Sequence, residues 1–525
     1  MRVLGIEGTA WAASAAIHDT ETDSTTIVSD AYQPASGGIH PREAAEHMAS
    51  AIPRVVREVL ADADGPVDYV AFSRGPGLGP CLRIVGTAAR SLSQALAVPL
   101  VGVNHMVAHL EIGRHQSGFD SPVCLNASGA NAHLLGFHNG RYQVLGETMD
   151  TGVGNAIDKF SRHVGWSHPG GPKVEKHAEG GELIDLPYVV KGMDFSFSGI
   201  MSAAKQASDD GAAIEDVCFS LQETIFGMLT EVAERALSLT GSNELVLGGG
   251  VAQNARLQEM LRTMCDERGA DFFAPDPRFL RDNAGMIAVL GATMAAAGDT
   301  IEIEESAVNS DFRPDQVAVT WRANESVAVV GDTGRELVGA EATVTVEGDR
   351  VVKRRLPKSY RHPDLDAHLR KTRTVQEARL FSEARKQGVP TPVVFDVDVQ
   401  EGALTLEHVG EGDLSDNLTA SRVRDVGEHL AALHRAGFVH GDPTTRNVRV
   451  GAYTYLIDFG LGFYTDHIED YAMDLHVFHQ SLTGTAADPD PLRDAFEAGY
   501  RAAGDERVLS QLREIEGRGR YQQSH

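Results

Sequence analysis

The chain runs to 525 residues, too many for one hydrophobic core, so two or three domains are expected. Hydrophobic residues make up 42%, which argues against wholesale disorder, and no apolar run approaches the about 18 residues that a membrane span requires. Acidic residues (74) exceed Lys plus Arg (47) for a net charge of −27; such a surface suits a salt-rich cytoplasm, where the Debye length falls to about 3 Å at 1 M, and excludes diffuse attraction to nucleic acid.

In chain order, Met1-Arg2-Val3-Leu4-Gly5-Ile6 reads as a buried strand entering a turn, not as a signal peptide. Further Val/Ile/Leu strands are expected at 67–72, 100–103, 123–125 and 245–247. Each is followed by a Gly, Ser or Asn turn and then a helical pattern, the texture of an α/β domain over residues 1 to about 300. Periodicity fades from about 302 to 326. Short strands at 342–346 and 350–353, a helix through Glu377 and a mainly helical remainder then mark a second domain. The expected boundaries are 1–320 and 327–525. No internal sequence repeat is visible. Cys81, Cys124, Cys218 and Cys265 lie far apart without a Cys-x-x-Cys pair, which fits a reducing compartment and excludes a cysteine zinc site.

Ligands of open α/β sheets gather beyond the C-terminal ends of strands, and the unusual residues of the first half fall there. His105 and His109 stand four apart at the start of a helix, which puts both imidazoles on one face, able to share a metal. A zinc protease would need Glu at the second position of His-Glu-x-x-His, where this chain has Met106. Asp282 could add a carboxylate ligand or cap the helix that begins at Ala284. Ser128-Gly129-Ala130-Asn131 and Gly248-Gly249-Gly250-Val251-Ala252-Gln253-Asn254 are turns whose amides suit anions. Asp158 is placed to accept ribose hydroxyls, and His168-Pro169-Gly170-Gly171-Pro172 with Glu175 reads as a rigid ligand-facing turn.

The second half carries His440-Gly441-Asp442-Pro443-Thr444-Thr445-Arg446-Asn447 followed by Asp458-Phe459-Gly460, the order and spacing of a kinase catalytic loop and its magnesium-binding aspartate. Asp442 would orient a hydroxyl or water, Asn447 and Asp458 would hold magnesium, and Lys353, paired with Glu377, would meet the phosphates of ATP. Leu337-Val338-Gly339-Ala340-Glu341-Ala342 would cover the nucleotide with one glycine instead of three. The domain spans under 200 residues and has no Ala-Pro-Glu after Asp-Phe-Gly, so much of a protein-substrate platform is gone. Two basic patches could touch RNA: Lys353-Arg354-Arg355 through Arg373, and Arg513, Arg518 and Arg520 of the tail.

This abbreviated set resembles the small atypical serine/threonine kinase of the KEOPS complex, as does Lys358-Ser359-Tyr360-Arg361-His362-Pro363-Asp364-Leu365-Asp366. Upstream, Gly5-Ile6-Glu7-Gly8-Thr9-Ala10, Gly75-Pro76-Gly77-Leu78-Gly79-Pro80, Asn104-His105-x-x-x-His109, Asp194-Phe195-Ser196-Phe197-Ser198-Gly199 and Gly249-Gly250-Val251 resemble the universal tRNA threonylcarbamoyltransferase of archaeal type. The pair together is similar to the fused archaeal arrangement. The resemblance implies an ASKHA (actin-like) two-lobed α/β domain followed by a small kinase-like α+β domain. It implies transfer of threonylcarbamoyl from threonylcarbamoyl-AMP to an adenosine beside the anticodon of ANN-decoding tRNA, and an ATPase or kinase cycle using Mg-ATP. It further implies a cytoplasmic protein with small KEOPS subunits as partners.

Carried over by position, His105, His109 and Asp282 would ligate one transition metal, iron or zinc, with Asn126 where the family has a ligating tyrosine. Asn126, Ala127, Ser128, Gly129, Ala130, Asp158, Gly171, Glu175 and Asn254 would bind the adenylate, and Ala130 stands where the family has glycine. Competing readings are a dedicated protein kinase with an appended nucleotide-binding module, a sugar-kinase-like enzyme, a nonenzymatic scaffold and, last, a metalloprotease. No residue presents itself as the general base.

Overall fold

In a computed structural model of the chain, the described residues are 1–32, 40–129, 131–138, 140–322, 336–338, 341–486 and 488–518. Ala130, Gly339, Ala340 and Arg520 lie outside them, as do the side chains of Leu337, Val338 and Arg518. Two compact units emerge, Met1–Val189 with Met193–Val330, and Val190–Gly192 with Gly331–His525.

The first unit holds two five-stranded sheets. In one, β1 (Arg2–Glu7), β2 (Ala12–Asp19) and β3 (Ser24–Ala31) form an antiparallel meander, and β4 (Tyr69–Gly75) and β5 (Leu100–Asn104) extend it in parallel beside β1, giving the order β3-β2-β1-β4-β5. The other builds the same way from the meander β6 (Val123–Ala127), β7 (Ala132–His138) and β8 (Arg141–Glu147), with Glu244–Gly248 and then Asp271–Phe273 parallel on the β6 side. One topology therefore occurs twice, as expected of a two-lobed ASKHA domain, although no repeat shows in the sequence. Residues rather than pairing patterns have diverged, because a sheet needs only apolar inward positions, whatever their identity.

Helices α1 (Pro41–Ala61) and α2 (Gly79–Leu96) cover the first sheet through Met48, Ile52, Val55 and Val85, which pack on Leu4, Ile6 and Phe72. Between the sheets lie α3 (His105–Ser117) and α9 (Ala284–Ala296), which touch each other. Val107 and Leu110 of α3 and Met286, Ile287 and Leu290 of α9 share one core with Val3, Val101, Cys124, Leu135 and Val246 from both sheets. Helix α9 is apolar on every side, as a helix enclosed by other elements must be. It lies so close to β1 that a Cβ on Gly5 would sit 2.4 Å from the Ala284 carbonyl oxygen, so no larger residue fits there. The rest of this unit is α4 (Val153–His163), α5 (Gly171–His177), α6 (Ser198–Asp209), α7 (Ile214–Thr240) and α8 (Ala255–Arg268).

The second unit has an antiparallel five-stranded sheet in the order Glu336–Val338, Ala342–Glu347, Arg350–Arg355, Ala403–Glu407, Val394–Asp398, with α10 (Pro363–Lys386) beside it. Helices α11 (Ala420–Arg435), α12 (Ile468–Thr485), α13 (Asp490–Ala503) and α14 (Glu506–Arg518) follow, packed through Leu430, Leu433, Phe478, Phe496 and Tyr500. Here one sequence expectation needs correction. Lys353 and Arg355 do not belong to a basic surface: both are buried in ion pairs with Glu377, and only Arg354, on the other face of the strand, is exposed. Strand alternation sends every second side chain inward, and these cations go in because a buried carboxylate waits for them. Among the described residues, no helix is long and apolar enough to cross a membrane.

Candidate functional site

The packing of α3 on α9 brings together residues more than 170 positions apart. Asn104 ends β5 and caps α3, its side-chain oxygen accepting from the amides of Met106 (3.0 Å) and Val107 (3.1 Å), so the helix starts at His105. At the other helix Asn283, not Asp282, is the cap, accepting from the Met286 amide at 3.1 Å. That leaves the Asp282 carboxylate for the histidines. Oδ1 of Asp282 lies 3.4 Å from Nε2 of His105 and 3.4 Å from Nε2 of His109. Among the described residues, these three form the one His/Cys/Asp/Glu group able to share an ion, with ligand atoms within 4.8 Å of one another.

Glu7, at the end of β1, was part of a recognised motif but carried no assigned role. Its side chain is fully buried, with Oε2 3.1 Å from His105 Nδ1 and Oε1 accepting from the Thr9 amide at 2.7 Å. A carboxylate holding one imidazole nitrogen leaves the other to bind an ion, so the donor set fits a metal. Burial by itself would lower the His105 pKa, but Glu7 and Asp282 outweigh it and lift the value to about 10. For Asp282, burial opposes ionisation, and the two histidines prevail and hold it well below the usual carboxylate range. The signal for Glu7 in the sequence was a lone acid at the end of an otherwise apolar strand.

Asn126 stands on β6 beside this group. From the point where a side chain on Gly248 would begin, the Cβ of His109 is 3.7 Å away and Oδ1 of Asn126 is 3.8 Å away. That oxygen is buried and has no hydrogen-bond partner, while its Nδ2 faces His133 Nε2 at 3.4 Å. Burial, reinforced by His109 and His105, depresses the pKa of His133 to about 3, so this ring is neutral. Gly249 closes the turn with φ +87°, and a Cβ there would meet the Ala127 carbonyl oxygen at 2.3 Å and Asn126 Oδ1 at 2.5 Å, whereas Gly250 has open space. Gly249→Ala is therefore expected to lower stability by about 1–3 kcal/mol, with Gly250→Ala close to neutral. Thermal unfolding of the two variants checks the contrast.

The remaining residues singled out in the sequence surround the next turns. Ser128 folds its own loop, its amide donating to the Asn131 carbonyl at 2.9 Å, and α4 docks on it through the Asn155 amide to the Gly129 carbonyl at 2.8 Å. Asp158 of α4 accepts from the Gly170 amide (2.7 Å) and lies 3.1 Å from His168 Nδ1. Asn254 caps α8, and Glu175 of α5 accepts from the Ala255 amide at 2.9 Å. Gly171 begins α5. These residues thus hold together the turns that read in the sequence as ligand-facing.

In the second unit Lys353 Nζ is 2.8 Å from Glu377 Oε1 and 2.6 Å from Asp458 Oδ1, so strand, helix and Asp-Phe-Gly turn meet at one ammonium. Glu377 also pairs with Arg355, whose other partner is Glu341 at 3.3 Å. Burial would raise the Asp458 pKa, but Lys353 and Arg355 carry it down to about 2. Asp458 takes a left-handed φ of 64°, unusual for a non-glycine residue and a mark of a shaped functional turn. Asn447 Nδ2 donates to Asp442 Oδ2 at 3.0 Å. Asp474 of α12 fastens the catalytic-type loop by accepting from the amides of His440 (2.7 Å) and Gly441 (2.8 Å).

The chain is similar to known proteins. A family model described as TsaD, tRNA N6-adenosine threonylcarbamoyltransferase, matches residues 22–289. A Halobacterium salinarum protein named "Probable bifunctional tRNA threonylcarbamoyladenosine biosynthesis protein" is 71% identical over 528 residues, covering 99% of each chain. Proteins of the same name from Haloquadratum walsbyi (67% over 533 residues, 99% of this chain and 100% of the relative) and Methanospirillum hungatei (52% over 523 residues, 99% of each) are also similar. The family model spans both lobes of the first unit and the relatives run the full length of the chain, so this chain belongs to the TsaD family of tRNA N6-adenosine threonylcarbamoyltransferases.

Proposed function

We propose that residues 1–320 transfer the threonylcarbamoyl group of threonylcarbamoyl-AMP to the exocyclic amine of the adenosine 3′ of the anticodon in ANN-decoding tRNA. Residues 327–525 would form a kinase-like ATPase that drives or regulates the cycle. The observation that carries the first assignment is the convergence of His105 and His109 on Asp282, with Glu7 holding His105 from behind.

His105, His109 and Asp282 would hold one transition-metal ion, iron or zinc, with the unpartnered Asn126 oxygen beside them. Such an ion supplies charge stabilisation for the departing phosphate. Asn126, Ala127, Ser128, Gly129 and Ala130 would line the adenylate with Gly171, and Asp158, Glu175 and Asn254 would meet its ribose and base, exchanging present hydrogen bonds for those of the ligand. In the reaction the adenosine N6 forms a bond to the carbamoyl carbon, the bond from that carbon to the phosphate oxygen breaks, and AMP leaves. The amine proton passes to solvent or to the leaving phosphate. Holding amine and carbamoyl carbon at contact distance contributes much of the acceleration.

In the second unit Lys353 would pair with the phosphates of ATP, with Glu377 holding it, while Asn447 and Asp458 bind magnesium and Asp442 orients the acceptor. Leu337, Val338, Gly339, Ala340, Glu341 and Ala342 would cover the nucleotide. Small KEOPS subunits as partners and a cytoplasmic location belong to the same reading. The test supplies the full chain in high potassium with threonylcarbamoyl-AMP, partner subunits and transcribed ANN-decoding tRNA, followed by nucleoside mass spectrometry. Threonylcarbamoyladenosine is the expected product; its absence rejects the transferase assignment.

A further inference from the structure

Two aromatic rings of the first unit, Trp11 and His168, have no role so far. Trp11 lies in the β1–β2 turn and His168 in the α4–α5 connection, so each comes from a different half of the first unit. Their rings stack at 5.1 Å between centroids and 3° between planes. Neither is a core residue: Trp11 is half-buried and the His168 side chain keeps 34% of its surface, unlike Phe160, Phe195 and Phe197, which are sealed in the interior. Trp166 and His177 also stack, at 4.3 Å, but lie on neighbouring segments of one half.

The position of Trp11 is tied to the site at three points. Two residues earlier, the Thr9 amide donates to Glu7, whose other oxygen faces His105. A Cβ on Gly129 would lie 3.8 Å from the indole Nε1, so the ring stands beside the 128–131 loop. His168 is fixed by Asp158, 3.1 Å from its Nδ1. The pair therefore stands beside the 128–131 loop and the Asp158 carboxylate, on the turn whose Thr9 amide holds Glu7 behind His105.

We propose that Trp11, backed by His168, is a stacking platform for the base of the acceptor adenosine; this rests on the transfer reading given above. Bases of single-stranded RNA loops are commonly held on aromatic faces. A chain of net charge −27 repels phosphates overall, the Lys353 and Arg355 cations are internal, and salt weakens phosphate contacts further. Stacking needs no charge on the protein. An amine that must reach a carbamoyl carbon also needs its ring plane set, and a planar platform backed by His168, itself held by Asp158, sets it.

The experiment measures binding of a fluorescent anticodon stem-loop RNA to the full-length, metal-loaded chain at fixed salt. One RNA carries the acceptor adenosine and a second carries an abasic nucleotide in its place. For the wild type the abasic RNA is expected to bind about tenfold more weakly, and Trp11→Ala should weaken the intact RNA by about the same factor. Trp11→Ala should then no longer distinguish the two RNAs, while Trp11→Phe restores the distinction and KM for threonylcarbamoyl-AMP stays within about twofold. His168→Ala, in a solvent-facing loop, should reduce the distinction partly. If Trp11→Ala discriminates the abasic RNA as strongly as the wild type, or Trp11→Phe fares no better than Trp11→Ala, the platform is rejected. Failure of the transfer reading would show differently, as absence of modified adenosine with the wild type itself.

Discussion

Asp282→Ala is expected to strip the chain of its metal and to slow threonylcarbamoyl transfer by about a thousandfold, since the charge stabilisation such an ion supplies amounts to several kcal/mol. The reason lies in the donor geometry. Among the described residues Asp282 is the one carboxylate that faces Nε2 of both histidines, and without it two imidazoles remain with an opening on the side the carboxylate closed. Glu7→Gln provides a graded comparison. An amide can still hydrogen-bond His105 Nδ1 but no longer offers a charge, so metal affinity should fall about 10–100-fold while the fold persists. Elemental analysis after dialysis reads metal per chain, and single-turnover transfer reads the chemistry. Full metal occupancy with unchanged transfer in Asp282→Ala would remove the proposed centre.

Asp442→Asn should lower ATP turnover by about 10²–10⁴-fold, the range for loss of a positioned proton-accepting group, without altering metal content or adenylate binding in the first unit. The side chain is nearly isosteric, and the Asn447 amide now donating to Asp442 can donate to an amide oxygen as well, so the loop should keep its shape. The loop is further secured through the His440 and Gly441 amides on Asp474, which the substitution does not touch. Phosphate release measured on the full chain checks this. Turnover equal to the wild type would mean that Asp442 does not orient the acceptor.

Much of this was legible beforehand because it is local. A short apolar run before a Gly or Asn turn marks a strand end, and the observed Leu100–Asn104 and Glu244–Gly248 match the runs expected at 100–103 and 245–247. The four-residue spacing of His105 and His109 already placed both on one helical face. What escaped the sequence depends on distant partners. The Lys353–Glu377 pair was expected, but Lys353-Arg354-Arg355 also looked like a basic patch, because three cations in a row do not show that Glu377 draws Arg355 inside as well. Asp282 could be read as a metal ligand or as the cap of the helix that begins at Ala284, and only the folded helix end shows that Asn283 takes the Met286 amide instead.

The sequence by itself determined the order of elements, the two domains' chemistry-bearing motifs and the strongly acidic charge balance, since these follow from residue type and short-range spacing. Only the tertiary structure decided that one sheet topology occurs twice, that α3 and α9 lie against each other between the sheets, and that Glu7 stands behind His105. Those facts arise from burying helix faces whose partners lie far away in the chain, as Val3 does from Leu290, and no local pattern encodes which apolar face meets which.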